Sequence, residues 1–154
     1  MLLHPTIVHF VIAFLSVAVI LDLLHLVGKK EQFWQISNYL MVFGTICTIV
    51  AVLSGHQTED AILKTPEIKN LIETHETAGE LTMWLFITLT TLRFIFIKFR
   101  VFEKPLKWIY YILGIIALVF LFRTGLLGGE MVYIHGIGTP NTKKPPISKP
   151  SFEK

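Results

Sequence analysis

Six histidines are the residues of this chain best suited to chemistry, and five of them gather at one end of it once its apolar runs are laid side by side. His4 and His9 open the first run, His56 closes the second, His75 precedes the third and His135 follows the fourth. His25 alone falls at the other end. Imidazole binds haem iron from helix walls, and helical bundles build such sites between facing helices. A b-type haem with two axial imidazoles needs them on different helices, with a flat apolar slot between. Phe10, Phe14, Leu81, Trp84, Leu85 and Phe122 are the candidates for that slot, and Arg123 for the propionates. Zinc or copper would accept the same rings. A local two-histidine clip wants a spacing of four, whereas His4 and His9 are five apart, which favours ligands from separate helices. Taken singly, each histidine could cap or anchor a helix in the headgroup zone; five at one end argue for a shared role.

The elements that must carry these rings are set by composition. The chain has 154 residues, 53% hydrophobic and 16% charged, with a mean hydropathy of +0.61. Soluble domains carry roughly a quarter charged residues, so a soluble enzyme, a disordered chain and a nucleic-acid binder are excluded. Net charge is only +3, and the basic residues sit in short clusters between apolar runs, which reads as membrane topology. The lone Cys47 can form no internal disulfide.

A helix needs about 20 apolar residues to cross a bilayer, and four segments qualify: about residues 7–27, 36–55, 81–99 and 106–127. The expected fold is all-α, an integral membrane four-helix bundle over residues 1–138, with an extended Pro/Lys-rich tail over 139–154. The first run has no basic segment before it and no cleavage-type ending, so it reads as a retained span. Pro66 and Pro105 suit helix starts, with Thr65 as an N-cap for the former. Gly136 and Gly138 suit the end of a fourth helix running to His135. The short connectors hold Lys29, Lys30, Lys98, Arg100, Lys104 and Lys107. The loop after His56 is acidic. The positive-inside rule then puts both termini on the non-cytoplasmic side of a bacterial inner membrane, although the tail adds four lysines there. At about 1.5 Å of rise per residue, His9, His56, His75 and His4 lie about 28 to 36 Å above the basic connectors, and His135 about 43 Å. A shared site is geometrically open.

Asp22, Arg93 and Arg123 are ionisable groups inside apolar runs, where charge is costly and tends to pair or line a path. Asp22 and Arg93 fall at equal depth, so an ion pair is open to them. The favoured expectation is the plainer one: Arg93 snorkels to the headgroups and Asp22 anchors helix packing. A proton path or quinone site is the functional alternative.

The opening His4-Pro5-Thr6-Ile7-Val8-His9-Phe10 resembles the His-Pro-x-x-Val-His-Phe start of a widespread family of small bacterial four-span membrane proteins of unknown function. The run from Gly128 to Gly138 resembles that family's Gly-Gly-x-x-Val-Tyr-x-His-Gly-x-Gly close. Gly55 to Asp60 and His75-x-x-x-Gly79 resemble its middle motifs, while His56 lies outside the pattern. Members are sometimes joined to cytochrome or other redox modules. The resemblance implies His4, His9, His75 and His135 as the functional histidines, in a redox context.

These readings combine into one expectation. The chain is a b-type electron-transfer subunit with no catalytic activity of its own. His9 and His75 are the first axial pair, His135 and His4 are alternative or second-site ligands, and His56 is a further metal ligand. Its partners are the bilayer, subunits of a redox complex, a quinol or a periplasmic cytochrome, with the basic tail docking an acidic partner. The competing expectation is a haem-free accessory or assembly subunit, whose histidines hold zinc or copper or are purely structural.

Overall fold

A computed structural model describes residues 3–59, 66–99 and 105–137. Every regular element among them is helical: α1 (Leu3–Gly28), α2 (Glu31–Glu59), α3 (Pro66–Phe99) and α4 (Leu106–Tyr133). All four are long and apolar enough to cross a membrane. Pro66 opens α3 as expected, and α3 passes through Gly79 without a break. Pro105 occupies the N-cap of α4. That helix ends at Tyr133, two residues before His135; Gly136 then takes a positive φ of 66°, and the N–H groups of Gly136 and Ile137 donate to the carbonyls of Val132 and Met131. Thr65, Gly138 and the tail lie outside the described residues.

The helices form a ring in chain order. α1 packs mainly on α2 and α3 mainly on α4, while α2 with α3 and α1 with α4 close the ring. Two helical hairpins therefore pair up, and α1 stands diagonally across from α3. The tight α1–α2 turn relies on Lys29, whose φ of 50° is left-handed and whose N–H donates to the His25 carbonyl at 2.8 Å. This is a helix-ending bond in which Lys29 takes the place usually held by glycine. The His25 ring secures the same turn, with Nδ1 donating to the Lys30 carbonyl at 3.0 Å and the ring against Trp34.

In hydrocarbon nothing drives large apolar side chains inward, so interfaces favour small residues and polar pairs. That is the pattern here. A methyl group at Gly44 would collide with the Leu15 side chain, Ala18 and Ala117 are fully buried, and Thr45 meets Thr90 at 2.8 Å. Trp84, Tyr39 and Val119 face outward.

Arg93 is a correction to the expectation that it snorkels. It is 0% exposed and pairs with Asp22. Its Nη1 donates to Ser37 Oγ at 2.9 Å, and its guanidinium lies 3.9 Å from the centre of the Trp34 ring. Tyr110 donates its hydroxyl to Asp22 Oδ2 at 2.8 Å, and Ser37 Oγ approaches Oδ1 at 2.5 Å. One residue or more from each helix thus meets in a single buried polar cluster near the α1–α2 turn. The reason is energetic: a charge in the bilayer is costly wherever it stays unpaired, and here three partners stand at its own depth.

Candidate functional site

At the opposite end of the bundle two histidines meet across the diagonal. His4 stands in the first turn of α1, ahead of Pro5, which the first turn of a helix tolerates. Its Nδ1 lies 2.8 Å from the Ala51 carbonyl on α2 and 3.2 Å from Ser54 Oγ. His75 stands in the third turn of α3, and its Nδ1 lies 3.1 Å from the Thr124 carbonyl on α4. A carbonyl can only accept, so each Nδ1 carries the proton. In a neutral ring Nε2 is then a bare lone pair, the form in which imidazole binds a metal.

The seats of the two rings match. Four residues beyond each accepting carbonyl comes a glycine, Gly55 after Ala51 and Gly128 after Thr124. A Cβ at Gly55 would stand 3.2 Å from His4 Cε1, and one at Gly128 would stand 3.1 Å from His75 Cε1. Both rings rest where a side chain has been left out. Each hairpin thus repeats the same device, a histidine on its first helix held by a carbonyl and a glycine on its second. The His4 and His75 ring centres are 6.5 Å apart, with planes at 84°. Beneath them Thr82 Oγ1 and Thr124 Oγ1 are 3.1 Å apart.

The other sequence candidates do not join this pair. His9, expected to partner His75, is exposed, and its Nδ1 donates to the Pro5 carbonyl one turn back at 2.6 Å. Five residues of α-helix carry His9 well past the face occupied by His4, and the ring beside His75 is that of His4. His135 lies in the turn after α4 with its backbone N–H on the Glu130 carbonyl. His56 Nε2 stands 3.3 Å from Glu80 Oε1, and both side chains are about half exposed. Arg123 is exposed on the outside of the α3–α4 hairpin, over a groove that also involves Glu73 and Phe120; its chain neighbour Thr124 is the one that turns to His75.

The expected apolar slot is also redrawn. Phe10 (50% exposed), Leu81, Trp84 (61%) and Phe122 (48%) face outward, as large apolar side chains can where lipid is the solvent. Phe14 and Leu85 are half-buried. Among the described residues no three His, Cys, Asp or Glu side chains gather as a metal-holding set. Zinc sites built by protein alone use three or four ligands, so two imidazoles suit a metal whose other ligands come from elsewhere.

Sequence reasoning missed Ser54, Thr124, Gly55 and Gly128 as the seats of the two rings. The available signal was a glycine near the histidine end of span two and another near that of span four. It missed Ser37, Trp34 and Tyr110 around Arg93 as well; Ser37, a polar residue within an apolar run at the depth of Asp22, was the signal there.

A family model described as predicted membrane protein, DUF2231, matches residues 2–141. No curated protein and no solved structure matches the chain.

Proposed function

We propose that this chain, which belongs to the DUF2231 family of predicted membrane proteins, is an electron-transfer subunit holding one b-type haem between α1 and α3. His4 and His75 would hold its iron. The observation that carries this reading is the separation of the two rings. Two imidazoles ligating one metal from opposite sides stand about 6.2 Å apart between ring centres, against about 5.1 Å at a tetrahedral angle, for metal–nitrogen bonds of about 2.0 Å. The rings here are 6.5 Å apart, and two imidazoles from different helices are a donor set that haem iron would accept.

Bound haem would take up and release one electron at a time. The protein's part is to fix the ligands. The carbonyls of Ala51 and Thr124 hold each Nδ1 proton, set the ring planes and raise the basicity of Nε2. Gly55 and Gly128 let each ring lie against its neighbouring helix. The histidine end is the non-cytoplasmic end of a bacterial inner-membrane protein in this reading, so a periplasmic cytochrome or a quinol exchanges electrons there.

The test is the visible spectrum of protein purified in detergent after expression with ample haem. A red protein with the reduced alpha band of low-spin b haem is expected. A colourless one removes the reading. A haem-free accessory subunit, its two imidazoles bracing the hairpins or sharing a zinc or copper ion, is favoured by one observation: Phe10, Leu81, Trp84 and Phe122 face outward. The same spectrum separates the two.

A further inference from the structure

We infer that the outer groove between α3 and α4 binds the headgroup of a zwitterionic phospholipid, with phosphate on Arg123 and ammonium on Glu73. The groove is open, and its lining includes Glu73, Thr74, Thr77, Leu81, Phe120 and Arg123. It lies outside the bundle and owes nothing to the haem reading.

Apolar, cationic and anionic side chains follow one another along the groove. α3 and α4 run antiparallel. Leu81 and Phe120 form the end deeper in the bundle. Arg123 stands about 4.5 Å further toward the histidine end than Phe120, by three residues of helical rise. Glu73 stands about 12 Å further out than Leu81 on the same basis. From the bundle centre outward the groove therefore reads apolar, cationic, anionic. A zwitterionic phospholipid in a bilayer reads apolar, anionic, cationic over the same course, from acyl chain to phosphate to ammonium. The two sequences are complementary at every level.

The donors are also assigned. Thr74 Oγ1 donates to the Asn70 carbonyl at 2.8 Å, and Thr77 Oγ1 donates to the Glu73 carbonyl at 2.8 Å. Their protons are spent on their own helix. Arg123 has no hydrogen bond or ion pair with another described residue, so its guanidinium supplies the groove's donors for a phosphate, in the forked geometry such oxygens accept. Glu73 faces Lys69 at 3.6 Å, an exposed pair of adjacent helical turns, and pairs of that kind hold weakly. A lipid ammonium can displace or join that lysine.

The test uses the full chain, delipidated in detergent and titrated with dioleoyl phosphatidylethanolamine or dioleoyl phosphatidylglycerol, with bound lipid counted by native mass spectrometry. Phosphatidylethanolamine should be held about tenfold more tightly, an ordinary margin for one charged contact. Arg123→Gln should lose about tenfold or more for both lipids. Glu73→Gln should erase the preference and leave phosphate binding in place. Both residues are exposed, and an unchanged unfolding curve confirms that each variant folds. Equal affinity for the two lipids in the wild-type chain, a preference for phosphatidylglycerol, or wild-type binding by Arg123→Gln overturns the inference.

Discussion

His75 rests against Gly128 so closely that a Cβ there would stand 3.1 Å from its Cε1. An alanine must push the ring by a few tenths of an ångström. Yet alanine is the better helix former by about 1 kcal/mol. Gly128→Ala should therefore keep or raise resistance to unfolding while weakening whatever the ring ligates. Measured together, unfolding in denaturing detergent and intensity of the low-spin spectrum should move in opposite directions. Gly55→Ala should behave alike through His4. A parallel fall of both quantities would mean that the glycines serve packing alone.

The protonation pattern of the rings can be read without any cofactor. Nitrogen-15 spectra of histidine-labelled protein should show His4 and His75 in the Nδ1–H form, because each Nδ1 faces a carbonyl. Thr124→Ala keeps the carbonyl and should leave the His75 signal in place. An Nε2–H form at either residue would break the ligand assignment at its base.

Substitution by alanine should separate the histidines. His4→Ala and His75→Ala should each abolish the low-spin spectrum. His9→Ala and His25→Ala should leave it, since those rings bond to carbonyls of Pro5 and Lys30 near their own positions. Loss of the spectrum on His9→Ala would restore the pairing expected from sequence.

At the other end, Asp22→Asn leaves Arg93 buried without its counter-charge. Breaking a buried pair on one side costs about 3–5 kcal/mol, and a steep loss of stability should follow in an unfolding titration. Tyr110→Phe removes one hydrogen bond to the same carboxylate and should cost less, about 1.5–3 kcal/mol. Arg93→Lys should not rescue, because an ammonium cannot reproduce the flat contact with Trp34. Glu80→Gln, which alters the half-exposed contact to His56, should change stability by no more than about 1 kcal/mol. A milder effect at Asp22 than at Glu80 would show that the buried cluster does not hold the bundle.

How much of this was legible depends on the physics behind each feature. The four spans could be read because a bilayer demands about 20 apolar residues from each helix, and Pro66, Pro105 and Gly136 marked helix boundaries through backbone constraints that act locally. The common depth of Asp22 and Arg93 was visible from rise per residue. Burial of Arg93 was not, because it depends on Ser37, Trp34 and Tyr110 arriving from two other helices. That the ring of His4 and not that of His9 meets His75 was hidden for a related reason. These helices are apolar all round, so no stripe in the sequence reveals which face turns inward. Rotation is set by small residues such as Gly44, Gly55 and Gly128, and their meaning emerges only when a neighbour is seen against them.

The Nδ1 bond of His4 stays within the α1–α2 hairpin and that of His75 within the α3–α4 hairpin, whereas the Asp22–Arg93 pair joins one hairpin to the other. Substitutions at Ala51 or Thr124 thus act inside one hairpin, whereas a change at Asp22 or Arg93 is felt by both.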